Sequence, residues 1–174
     1  LKGATFAHGR QMGKTLILPV RWNLATAKPV LGTNPAEKLL TNGIRGSLKY
    51  SDFEWCSWAD NDSVSFTIDL LKPEVLNTLI LGCITNNGMA IHKPASVRVE
   101  VSDDNSKFRE AVVQSFTSEE IFREGNFIEN LSLKLGGTQA RYVRVTAKGP
   151  GVCPASHVRP GQTSRIFFDE VMLE

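Results

Sequence analysis

Apolar residues in this chain recur at every second position far more often than at helical spacing. Val64, Phe66, Ile68 and Leu70 alternate with Ser65, Thr67 and Asp69, which predicts a strand with one face in a core. Val97, Val99 and Val101 alternate with Arg98 and Glu100, and Ser102-Asp103-Asp104-Asn105 follows as a turn. Leu131, Leu133 and Leu135 alternate ahead of Gly136-Gly137, and residues 142–146 alternate again. Residues 76–84 form a more continuous apolar run, the pattern of a strand covered on both sides. Residues 111–117 and 166–172 complete the set. Short strands at this spacing, with turn signals between them, predict an all-β sandwich or jelly roll. Helix is scarce: residues 35–40 predict one or two turns with Pro35 at the start, and residues 118–123 are a second short candidate.

The first twenty residues read differently. Residues 1–6 and 15–20 are strand-like and joined by a segment with two glycines, which predicts a β-hairpin. Pro19 and the following Arg21-Trp22-Asn23 mark a boundary, dividing the chain into 1–20 and 21–174. Two long loops stand out. Residues 50–62 carry Phe53, Trp55 and Trp58 among Asp52, Glu54, Asp60 and Asp62; residues 148–165 carry Cys153, His157 and Arg159 among glycines and prolines. Loops of this length in a compact domain usually carry function or a local structural task.

Composition narrows the function. A length of 174 residues suits one domain plus an extension. The net charge is +2 and the Lys and Arg residues are scattered, so there is no electrostatic case for nucleic acid. No apolar run approaches the roughly 20 residues of a transmembrane helix. No signal peptide is visible, and the chain begins at Leu1, so it reads as part of something longer. Cys56, Cys83 and Cys153 lack metal-type spacing and their odd number prevents complete internal pairing, which predicts free thiols.

Six pieces, in order over about residues 21–172, carry a resemblance. They are residues 23–30, Leu40-Thr41-Asn42-Gly43, Trp55 and Trp58 ahead of the strand at 64–70, residues 91–102, Ala140-Arg141-Tyr142-Val143-Arg144-Val145, and Phe168-Asp169-Glu170-Val171. Together they resemble the discoidin-like, coagulation factor 5/8 type C domains and their bacterial sugar-binding relatives. Cys153-Pro154, His157, Gly161 and the Asp169-Glu170 ending are similar to the C-terminal modules of bacterial family 20 β-N-acetylhexosaminidases, the chitobiases. The resemblance implies a galactose-binding-like jelly roll of about eight antiparallel strands. It implies that residues 1–20 end a preceding small β-domain, and that the parent is a glycoside hydrolase acting in the periplasm, at the cell surface or outside the cell.

It also implies sites. A structural Ca²⁺ would take the carbonyls of Leu39, Ile44 and Asp169 and the side chains of Asn42, Ser47 and Glu170; Ca²⁺ wants roughly six to eight oxygens. Asn42 stands where the family has Asp, which removes one charge and weakens the expected site. Sugar recognition needs an aromatic face and forked polar groups. Its candidates are Trp55 and Trp58 for stacking, with Asn86, Asn87, His92 and His157 for hydrogen bonds. Galactose-binding relatives commonly present an Arg near residues 85–89; this chain has none there. The competing readings are an Asn-Gly turn with a surface Glu for the metal set, a core or loop anchor for each tryptophan, and a loop-shaping role for His157.

Catalysis finds little support. Asp169-Glu170 resembles the paired acids of the parent enzymes' catalytic barrels, but no βα alternation is present. Neighbours on a regular strand also face opposite sides. His8, His92 and His157 have no nearby nucleophile pattern. The expectation is therefore a non-catalytic carbohydrate-binding module for glycans ending in galactose, N-acetylglucosamine or N-acetylgalactosamine. A structural module packed against the catalytic domain of the same chain is the alternative. A membrane or protein adhesion domain using Phe53, Trp55 and Trp58 as apolar spikes is a third.

Overall fold

The computed structural model describes residues 22–58 and 63–174, with the backbone of four two-residue strands among the first 21 residues. Asp60, Asp62, His8 and the boundary at 20/21 lie outside the described residues. Strand β1 (Lys2–Gly3) pairs antiparallel with β4 (Leu16–Ile17), and β2 (Phe6–Ala7) with β3 (Arg10–Gln11). This is the expected hairpin order.

The main domain contains β5 (Val30–Leu31), β6 (Cys56–Trp58), β7 (Ser63–Asn86), β8 (Ser96–Ser102), β9 (Arg109–Ser115), helix α1 (Ser118–Ile121), β10 (Asn126–Lys148) and β11 (Ile166–Leu173). All its strand pairings are antiparallel, in the order β6-β11-β7-β10-β8-β9, with β5 also on β7. The two long strands run through both layers of a sandwich. The first part of β7 and the last part of β10 lie with β5, β8 and β9; the last part of β7 and the first part of β10 lie with β11 and β6. Phe66, Ile68, Val97, Val99 and Val143 from one layer meet Leu79, Leu81, Leu133 and Phe168 from the other in one buried cluster.

The period-2 pattern predicts two strands in each of these stretches, and the structure joins each pair into one. The joint is a bend. The ladder slips twice: between Lys134 and Thr138, where Gly136 and Gly137 sit at φ +63 and +79, and between Ala140 and Tyr142, where Leu71 on the facing strand sits at φ +71. Asp69 pins the bend. It accepts from Leu71 N and takes both the Nε (2.8 Å) and an Nη (2.9 Å) of Arg141, which hold its carboxyl below the usual range.

Three further expectations shift. The stretch 76–84 is covered on both faces only from Leu81 onward; Asn77 is exposed and Ile80 half-buried. Residues 23–30, which resemble the family's opening strand, contribute only Val30 to a strand. Asn23 instead begins a turn, its Oδ1 accepting from Ala25 N and Leu173 N. The predicted helix at 118–123 is one turn, closed by a capping box in which Thr117 and Glu120 exchange hydrogen bonds. Cys56, Cys83 and Cys153 are free and buried, as their number predicts.

Candidate functional site

The early loop and the last strand do meet. Residues Pro35–Thr41 form a 3₁₀ turn, started by Asn34 accepting from Ala36 N. The chain then leaves through Gly43 at φ +81 and passes along β11. Glu170, 2% exposed, accepts from Gly43 N and Asn23 Nδ2, each at 3.1 Å. Asp169, fully buried, accepts from Arg45 Nε (2.6 Å), Gly46 N (3.0 Å) and Glu170 N (2.6 Å). Strict alternation would send these adjacent side chains to opposite faces, yet both meet loop 43–46. β11 spends three residues from Phe168 to Val171 where β7 spends two from Cys83 to Leu81, and that bulge turns both carboxylates to one loop.

The expected calcium ligands lie around this junction. Asn42 Oδ1 accepts from Ile44 N (2.8 Å) and its Nδ2 donates to Glu54 (2.9 Å). Ser47 Oγ accepts from Lys49 N (3.1 Å), and the Leu39 carbonyl from Asn42 N (3.3 Å). Each of these oxygens keeps a second lone pair. Burial pushes Glu170 up to about 7, with the Asp169 charge adding to it and the hydrogen bonds from Gly43 and Asn23, with Arg45, opposing. Arg45 meets the Asp169 charge directly, while the groups touching Glu170 are neutral N–H donors. Each Glu170 oxygen thus accepts one N–H bond, Oε1 from Asn23 and Oε2 from Gly43.

The two tryptophans are corrected from ligand contacts to core. Trp58 is 8% exposed; its ring stacks on Phe66 (centroids 6.3 Å, planes 12° apart) and meets Phe168 edge-on at 5.6 Å. Trp55 is packed with Ile84, Ile91 and Phe167, donates from Nε1 to Ser47 O, and lies so close to Gly46 that a Cβ there would sit 2.3 Å from its ring. Neither presents a face for stacking. Of Phe53, Trp55 and Trp58, only Phe53 projects into solvent, at 92% exposure.

The four polar candidates fall at the opposite end of the ladder from Trp22. Asn86 is half-buried and bridges Ile91 through its backbone. Asn87, His92 and His157 are buried, and the two imidazoles meet edge-on at 5.0 Å. Asn87 and His157 line a depression of about 110 Å³ with Phe122, Glu124, Pro154, Ser156 and Val158. It adjoins a wider one of about 420 Å³ that shares Phe122, Glu124, Pro154 and Ser156 and adds Ser118, Glu119 and Arg123. His92 is fully buried and packs on Phe122 at 5.1 Å behind this cleft. Burial, then the neighbouring His157, pushes His92 down to about 4, against the Ile121 carbonyl. The cleft offers a half-buried aromatic ring, a proline and a valine beside a carboxylate, a hydroxyl and an amide. That is a surface for the C–H face and hydroxyls of a sugar. Sequence reasoning missed Phe122 and Glu124; the Thr117-x-x-Glu120 capping signal, which fixes the turn presenting them, was legible. It also missed Arg165, whose Nη2 donates to Met89 O at 3.1 Å. That guanidinium reaches the 85–89 loop from another segment.

A larger depression, about 560 Å³, lies between Trp22, Leu24, Asn77, Thr78, Lys134 and Glu174. Trp22 is 77% exposed there. Thr78 and Asn86 are eight residues apart on β7, so the two sites are separated by roughly 26 Å at about 3.3 Å per residue.

The family model described as F5/8 type C domain matches residues 25–158. The chain belongs to the F5/8 type C domain family. Solved structures agree on the architecture of this F5/8 type C domain. CpGH89CBM32-6 produced by Clostridium perfringens is 18% identical with a TM-score of 0.57, over 88% of this chain and 98% of that one. Chitosan-binding module 1, derived from the chitosanase/glucanase of Paenibacillus sp. IK-5, is 16% identical with a TM-score of 0.57, over 88% and 99%. The Streptococcus pneumoniae fucose binding module SpX-3 is 18% identical with a TM-score of 0.52, over 88% and 98%. At these identities the likeness is one of fold. No curated protein sequence matches the chain. Among the described residues, no helix is long and apolar enough to cross a membrane.

Proposed function

We propose that this F5/8 type C domain is a non-catalytic carbohydrate-binding module, and that the Phe122 cleft is its sugar site. The observation that carries the reading is the meeting of an accessible aromatic ring with Glu124, Ser156 and Asn87 at the loop end of the sandwich. The folds it shares belong to modules whose names state chitosan or fucose binding. The parent is a glycoside hydrolase of the β-N-acetylhexosaminidase kind outside the cytoplasm, and the module targets it to glycans ending in galactose, N-acetylglucosamine or N-acetylgalactosamine. This rests on the sequence resemblance around Cys153, His157 and Gly161.

A glycan array followed by calorimetry on the 174-residue chain tests the site. Phe122→Ala is expected to weaken binding by at least about tenfold, the scale of losing one aromatic contact. Trp22→Ala is expected to leave it unchanged. The reverse pattern would move the site to the other end of the ladder. Silence on every glycan favours the structural alternative, in which the Trp22 depression packs against the parent's catalytic domain.

Calcium belongs to the same proposal. Glu170 would anchor it, with the oxygens of Asn42, Ser47, Leu39, Ile44 and Asp169 around it, and the ion would tie the early loop to β11. With Asn42 in the position of an acid, affinity falls at the weak end, about 10⁻⁴–10⁻³ M, known for extracellular modules. At about 100 times the dissociation constant the gain is about 2.7 kcal/mol, or roughly 5–10 °C in a domain of this size. Chelator is expected to reverse that rise. A melting temperature indifferent to both calcium and chelator would sink the calcium reading.

A further inference from the structure

We propose that His92, Cys153 and His157 form a second, chemically different metal site that takes Zn²⁺. The three come from two places, His92 after the Ile91 bridge and Cys153 and His157 from the long loop before β11, and all are buried. One ligand atom from each lies within 4.8 Å of the others. Tetrahedral zinc, with Zn–S near 2.3 Å and Zn–N near 2.0–2.1 Å, needs about 3.6 Å between ligand atoms. The contraction required is on the scale of side-chain rotation.

Hydrogen bonding points the same way. Neither nitrogen of His92 makes a well-aligned hydrogen bond, its one polar neighbour being the Ile121 carbonyl, and the residue is wholly buried; Nε2 of His157 has no partner. Buried polar groups are rarely left so. The loop holding the other two residues is tied down: Cys153 N donates to Gln162 O, Gly161 N to Cys153 O, His157 N to Pro154 O, and Ser164 N to Gly151 O. His92 is fastened to the end of the same loop by donating its N–H to Arg165 O. The Ser164 hydroxyl lies 3.3 Å from the Cys153 sulfur, placed to donate to a thiolate. Two imidazoles and a thiolate are borderline-to-soft ligands. They select zinc where the oxygens around Glu170 select a hard cation.

The proton balance is specific. Arg159 N–H donates to His157 Nδ1 at 3.0 Å, so the neutral ring carries its proton on Nε2. Zinc at Nε2 moves that proton to Nδ1, and the Arg159 amide must then turn away. The Cys153 thiol gives up its proton to solvent. Binding therefore releases one proton per ion and changes the backbone at Arg159. Three protein ligands leave the fourth tetrahedral position to water.

Cobalt(II) is the probe, added to the chelator-treated 174-residue chain. The expected result is a thiolate-to-cobalt charge-transfer absorption with tetrahedral d–d bands, displaced by zinc and untouched by excess calcium. Cys153→Ser should abolish the charge-transfer band, and His92→Gln should weaken binding by at least about tenfold, the scale that outer-shell changes alone reach. Two measurements need no variant: zinc should release one proton per ion in calorimetry across buffers, and should shift the Arg159 amide resonance. A wild-type chain with no charge-transfer band, or a band that survives in folded Cys153→Ser, overturns the proposal. Neither result depends on glycan binding.

Discussion

Trp58→Ala is expected to destabilise the domain by about 3–5 kcal/mol, the range for truncating a large aromatic residue in a core. For a chain of this size that is a fall of roughly 6–20 °C in melting temperature. The effect follows from the Phe66 stack and the Phe168 edge contact, which fill the space between β6, β7 and β11. Glycan affinity, measured on the folded fraction, is expected to stay at the wild-type value, because Trp58 does not line the Phe122 cleft. Calorimetric melting and glycan titration on the same preparation separate the two roles. A variant that melts like wild type but has lost its sugar would restore Trp58 as a ligand contact.

Asp169→Ala is the second large effect. Breaking a buried ion pair by removing one partner costs about 3–5 kcal/mol. The low end applies here, because the Arg45 side chain is 36% exposed and water can take it over. The loss also strands Gly46 N and Glu170 N, both of which donate to the same carboxylate. Urea denaturation should show it, and a double-mutant cycle with Arg45→Met should return a coupling of about 1.5–3 kcal/mol, as for a charge-assisted hydrogen bond. Additive single effects would mean that the ion pair contributes nothing and that the backbone donors carry the whole cost.

These two residues mark where reading the chain succeeds and where it stops. The strands at 64–70, 97–101 and 131–135 were legible because a half-buried strand writes its face into every second residue. The union of two predicted strands into β7, and of two into β10, was not. A bend held by Asp69 and Arg141 across the ladder depends on a contact between residues 72 positions apart. The meeting of the Asn42 loop with Glu170 was legible through resemblance, but the bulge that brings Asp169 to the same loop was not, since one extra residue leaves no mark in the pattern. Trp55 and Trp58 misled for a related reason. A tryptophan in a polar loop fits a sugar platform and a core plug equally well, and only its neighbours distinguish them.

By itself, then, the sequence determined that this is a β-sandwich with few helices, while the meeting of its first loop and last strand was legible only through resemblance. Periodicity is a local property, and local order is enough to specify strands. Tertiary structure alone decided which aromatic ring faces solvent, which carboxylate has a cation beside it, and that His92 joins Cys153 and His157. Burial and proximity arise from pairings between distant segments, and the residues so joined carry no common signal along the chain.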